Sequence, residues 1–311
     1  MSAKIEMLRP IGPRSRGFEL DAVVAELRYS RDVAHNIRLG GKVTEVPSAT
    51  VIADVLEGIV TSLFPTHLGP HGLKHESVDL FVTNMLSTSF ARLTDQTARG
   101  LQFEAKSIAP ADAERRAEDI VNDFARLLPT IRALLVSDLK AARHHDASAE
   151  SLAEVLICYP SSRAIIHHRL AHELHRLGAR FVARIISALS HSTTGIDIHP
   201  GATIGSGFFI SRGMGVVIGE TAVIGKNVCL HQGVTLGENE APQTSPPSRR
   251  SPRHPIIEDN VIIHAGASVL GRITVGAGSI IGGNIWLTRS VPPGSAVTQA
   301  THAVSNIHSL D

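Results

Sequence analysis

Two textures of apolar residues divide the chain. Up to about Ser190 the apolar positions recur at helical spacing, and from Gly195 onward they become short Ile, Val and Leu runs broken by glycine and other small residues. The pattern predicts an α+β chain, with an all-α region over 1–192 and a second domain over 193–311. Helices are predicted around Leu20–Asn36, Ala49–Leu63, Ser77–Leu93 and Asp112–Ala142, the last disturbed at Pro129. Ser151 with Glu154 can form a capping box ahead of Leu156 and Ile157, and Pro160, Ser161 and Ser162 separate that helix from the next. The next helix presents Ile166, Leu170, Leu174 and Leu177 as a stripe and ends at Gly178. A further helix through Phe181, Ile185 and Leu189 leads into the second domain.

The second domain has a strict period. Aliphatic residues stand six apart at Ile198, Ile204 and Ile210, then at Ile218, Ile224, Leu230 and Leu236, then at Ile257, Ile263, Val269, Val275, Ile281 and Leu287. Glycine follows many of them, as in Ile204-Gly205, Ile224-Gly225 and Ile281-Gly282. A six-residue unit is too short for anything but a brief strand and a tight turn. Three units close one triangular coil, and stacked coils bury a column of aliphatic side chains that no single coil could bury alone. The period breaks twice, at a two-residue slip over Ser211–Val217 and at Glu238–Pro255, which contains five prolines and must leave the prism as an extended loop. Loops on a rigid solenoid are natural places for chemistry.

Several strings go beyond the six-residue rule: Thr194–Gly205, Gly215–Gly225, Gln232–Gly237, Arg253–Val261 and Ser290–Gly294. Through them the stretch from Asp146 to about Pro293 resembles bacterial serine O-acetyltransferase. The resemblance implies a left-handed parallel β-helix behind a helical domain, assembled as homotrimers or as dimers of trimers. It also implies acetyl transfer from acetyl-CoA, a co-substrate with no tightly bound cofactor beside it, to L-serine, giving the O-acetylserine from which cysteine is made. By the same resemblance Asp146 holds the serine ammonium. Arg253 and His254 face the cleft from a neighbouring subunit, Glu220 belongs to the substrate site, and Ala265, Gly266 and Gly283 let the pantetheine arm approach the backbone. Arg272 or Arg289 is available for phosphate. Family members that dock their tail into the next enzyme of cysteine synthesis end in isoleucine, whereas this chain ends in Asp311.

The reaction requires a base for the serine hydroxyl and donors for the oxyanion. In the family an Asp-His pair supplies the base, oriented by the aspartate of an Asp-Ile-His-Pro string. That aspartate is present as Asp197, with His199 close by, but Ser211 and Arg212 stand where the Asp-His pair is expected. A guanidinium stays protonated and only donates, so Arg212 can bind a carboxylate or an oxyanion but cannot take a proton. His231, one coil after Ile210, projects near the same corner. It can be read as a relocated base or as a surface or trimer-packing histidine. Three functions therefore stay open: the family reaction with a rearranged base, acyl transfer to another amino or hydroxyl acceptor, and a trimeric scaffold without catalysis.

Composition narrows this further. With 311 residues, 43% hydrophobic, and 30 Lys and Arg against 29 Asp and Glu, the chain is neither fibrous nor disordered. It has no overall field for nucleic acid or an anionic membrane, so an anionic ligand must be held locally. Cys158 and Cys229 lie in apolar runs without metal-ligand spacing and read as buried free thiols. His168, His172 and His175 share a helix face but miss the spacing of a helical zinc motif, so no metal is expected. His144-His145 and Arg249-Arg250 read as solvated loop residues. Neither a secretory leader nor a membrane span is evident, and the cytoplasm is the expected compartment.

Overall fold

Buried stripes and caps explain the helices in a computed structural model that describes residues 20–37, 45–105, 107–239 and 251–299. The chain divides into two units, Met1–Thr44 and Glu45–Asp311. In the first, α1 (Leu20–Tyr29) buries none of its residues and passes into a π-helical turn, Ser30–Ala34. In the second, α2 (Ala49–Leu63) starts at Ser48, whose Oγ accepts from the Val51 N–H, and α3 (Pro65–Leu68) follows it. α4 (Val78–Glu104) runs well past the predicted Leu93, because Gln96, Thr97, Ala98 and Gly100 continue the buried face without looking apolar.

α5 (Pro110–His145) passes unbroken through Pro129, which corrects the expected disturbance. Its long buried stripe, Ile120, Phe124, Leu128, Ile131 and Leu135, offsets the hydrogen bond that proline cannot make. α6 (Leu152–Cys158) is capped by Ser151 Oγ on the Glu154 N–H, while the Glu154 carboxylate accepts from the Glu150 N–H. α7 (Pro160–Leu177) begins with proline in its first turn and ends at Gly178, left-handed at φ 109°. α8 (Arg180–Thr194) ends at Gly195, three residues before Ile198. Cys229 is buried as expected, but Cys158, at the end of a short helix, is exposed.

Fourteen short strands follow among the described residues. They form three parallel sheets: β1 (Asp197–Ile198), β4 (Val217–Ile218), β7 (Thr235–Gly237), β10 (Ser268–Leu270) and β13 (Trp286–Leu287); β2 (Thr203–Ile204), β5 (Val223–Ile224), β8 (Ile256–Ile257) and β11 (Thr274–Val275); and β3 (Phe209–Ser211), β6 (Cys229–His231), β9 (Ile262–Ile263), β12 (Ile280–Ile281) and β14 (Ala296–Val297). Successive coils pair residue for residue, Ile210 with Leu230 and Leu230 with Ile263. All thirteen aliphatic residues of the six-residue period are buried, each removal from water being worth about 2 kcal/mol.

The prism has three corners: a first between the first and second sheets, a second between the second and third, and a third returning to the first sheet. At the third corner Gly215, Gly233, Gly266 and Asn284 take φ of 77°, 73°, 72° and 56°, a turn repeated coil by coil. The helical layer is fastened to the first coil by a buried ion pair. Arg169 donates from Nε and Nη2 to the Asp138 carboxylate at 3.1 and 3.0 Å and also to the carbonyls of Ile204 and Gly205, while Asp138 accepts the Phe208 N–H at 2.9 Å.

Candidate active site

The third corner gathers one set of polar residues. At the end of α5, Asp146 accepts from the Ser148 N–H and hydroxyl at Oδ1 and from the Tyr159 hydroxyl at Oδ2. Those hydrogen bonds and nearby Arg212 hold its carboxyl below the usual value. Arg212 is exposed, with φ 62°, in a turn closed by the Gly213 N–H on the Ser211 carbonyl at 2.7 Å. Ser211 pairs in register with His231. The His231 ring stacks on His264 with centroids 4.9 Å apart and planes at 28°, and His145 stacks on Phe209 at 6.1 Å. Burial first, then His264 and His145, hold His231 below the usual imidazole value, so its ring is neutral at pH 7.

Asp197 opens β1, paired with Val217 just past the Arg212 turn. Ala265 and Gly266 follow His264 at the same corner, with Gly283 one coil further on. A Cβ on Gly283 would meet the Ala265 carbonyl at 3.2 Å, so this surface is bare backbone. Between α5 and the second corner lies a separate groove of about 510 Å³, lined by Lys140, His144 and His145 on one side and Asn227 and Asn260 on the other.

The first corner gathers the other set. Arg253 Nη2 meets Glu220 at 2.7 Å and its Nε meets Glu238 at 2.9 Å, so the arginine expected to face the substrate cleft is held by two protein carboxylates. His254 is buried. Its Nδ1 accepts from the Thr221 N–H at 3.0 Å, and its ring lies over Gly219, where a Cβ would sit 2.0 Å from Cδ2. Arg272 donates to the carbonyls of Thr221 and His254, at this corner rather than beside Ala265 and Gly266. His199 accepts the Gly201 N–H and lies edge-on to His175, and burial together with Arg184 brings its pKa down to about 4.

Within one chain the structure thus brings Asp146, Asp197, Ser211, Arg212 and His231 to the third corner with Ala265, Gly266 and Gly283, and places Glu220, Arg253 and His254 across the first sheet from them. The sequence reading missed Tyr159, Thr221 and His264. His264 was within reach, because His231 follows Leu230 as His264 follows Ile263 and those aliphatic residues pair. His172 donates from Nδ1 to the Pro200 carbonyl at 2.9 Å. Among the described residues no group of three or more His, Cys, Asp or Glu is placed to hold a metal ion. Arg249-Arg250, most of the 238–255 loop, the first nineteen residues and the Asp311 tail lie outside the described residues.

A three-faced hexapeptide prism with a polar corner beside bare backbone defines a hexapeptide-repeat acyltransferase. The chain is 44% identical over 313 residues to the plasmid serine acetyltransferase of Synechococcus elongatus, spanning 96% of this chain and 98% of that one. It belongs to the serine acetyltransferase family, and its prism is the family's left-handed β-helix. It is also 46% identical to the serine acetyltransferase of Mycobacterium tuberculosis over 51% of this chain and 67% of the relative. Serine acetyltransferase 1 of Entamoeba histolytica, solved with L-cysteine, superposes with a TM-score of 0.70 at 33% identity, covering 83% of this chain and 88% of that one. The soybean enzyme complexed with serine gives 0.52 at 29%, covering 81% and 96%. No protein-family model matches the chain. Among the described residues no helix is long and apolar enough to cross a membrane.

Proposed function

We propose that this chain transfers the acetyl group of acetyl-CoA to the hydroxyl of L-serine with His231 as the base in place of the absent Asp-His pair. The observation behind this reading is the register of Ser211 with His231, which sets a neutral imidazole one coil from the expected position. Asp146, ionised and held by Ser148 and Tyr159, receives the serine ammonium. His231 takes the hydroxyl proton as the oxygen attacks the thioester carbonyl. Arg212 donates to the oxyanion, and collapse breaks the C–S bond. The departing CoA thiolate takes back the proton, leaving O-acetylserine.

Arg253, His254 and Glu220 join from a neighbouring copy in a homotrimer. The outward row of the first sheet, with Val217 and Trp286 exposed at 38% and 73%, supports that assembly. Hexamer formation, as pairing of trimers, is taken from the family resemblance, and the cytoplasm from the two free thiols, Cys158 and Cys229, which suit a reducing compartment.

The test is CoA release from acetyl-CoA with and without L-serine, for wild type, His231→Ala and Arg212→His. Serine-dependent release that falls about a hundred-fold or more in His231→Ala supports the reading. Release unchanged in His231→Ala removes His231 as base. Release seen only in Arg212→His would mean an intact scaffold whose native task is not this reaction.

A further inference from the structure

We propose that His264 is a positioning residue for His231, fixing the plane and direction of its ring by stacking from the next coil. This rests on the reading of His231 as base. Three observations converge on it. Leu230 and Ile263 are ladder partners, so the residues that follow them, His231 and His264, leave the prism side by side. Their rings lie 4.9 Å apart at 28°, an offset-stacked contact. His264 also immediately precedes Ala265 and Gly266, the bare backbone along which the thioester arm is proposed to lie.

An Asp-His pair fixes its imidazole with a carboxylate. Among the described residues no carboxylate bonds His231, and Ser211, level with it in the ladder, is too short to hold a ring plane alone. A stacked aromatic neighbour restricts the ring instead, at the corner where Asp146 and Arg212 meet. The groups facing His231 are His264 from the next coil and His145 from α5, both of which oppose its protonation, together with burial. The neutral, proton-accepting form is therefore favoured without a carboxylate. Losing His264 removes one of the groups that oppose protonation of His231 and opens the ring to water, so the base becomes easier to protonate and the acidic limb of activity moves to higher pH.

The experiment compares the full chain carrying His264→Ala, His264→Phe and His231→Ala in serine-dependent CoA release. It follows kcat, KM and the pH profile, with thermal unfolding as a check on folding. Expected are a ten- to hundred-fold loss of kcat in His264→Ala at little-changed KM, recovery of most of it in His264→Phe, and an acidic limb at higher pH in both. A wild-type profile and kcat in both His264 variants, with His231→Ala inactive, would overturn the positioning role and leave the base in place. The same holds for a loss in His264→Ala that His264→Phe does not recover. Wild-type turnover in His231→Ala would overturn base and positioning together.

Discussion

Arg212 stands in a left-handed turn conformation that costs a side chain with a Cβ about 1 kcal/mol or more and costs glycine almost nothing. Its side chain is exposed, and among the described residues it makes no hydrogen bond or ion pair, so packing does not compensate. Strain held at an exposed residue beside Asp146 supports the role proposed for Arg212. Arg212→Gly is therefore expected to stabilise the chain by about 1 kcal/mol in urea unfolding while lowering kcat for serine-dependent CoA release. A destabilised variant would mean that the guanidinium holds the corner together. Gly219 shows the opposite constraint at the first corner: its φ is ordinary, but the His254 ring occupies the space of any side chain.

At the scale of elements, α5 and α7 are locked to the first coil by one bidentate pair. Asp138 and Arg169 are both almost fully buried, and the guanidinium also satisfies the carbonyls of Ile204 and Gly205 while the carboxylate satisfies the Phe208 N–H. Removing one partner leaves an uncompensated charge in the interior. Arg169→Met is expected to cost about 3–5 kcal/mol in chemical unfolding, with Asp138→Asn added to it recovering part of the loss. A cost below 1 kcal/mol would show that the pair is dispensable for joining the two layers. This contact was not legible beforehand, since Asp138 and Arg169 lie 31 positions apart on helices whose amphipathic pattern marks charged residues as solvent-facing.

For the whole molecule, the two halves of the proposed site sit at opposite ends of the first sheet's strands, and the proposed trimer would bring them together. Mixing His231→Ala with Arg253→Ala, each inactive by itself, is expected to restore part of the activity after co-refolding, because some interfaces then pair a wild-type third corner with a wild-type first corner. No recovery from mixed oligomers verified by mass would place both halves in the same chain. Sedimentation of Trp286→Glu at lower mass than wild type would locate the interface on that sheet.

The sequence by itself determined the prism, because a six-residue period leaves the backbone only one way to bury its aliphatic column, and all thirteen positions are buried as the period requires. It also determined the helix ends at Ser48, Ser151 and Gly178, where local hydrogen bonding and left-handed geometry act within a few residues. Only the tertiary structure decided the unbroken course of α5 through Pro129, the capture of Arg253 by Glu220 and Glu238, the burial of His254, and the stack of His231 on His264. Each depends on which side chains the stacked coils and packed helices bring within a few ångströms, a matter of long-range contact that no local pattern encodes.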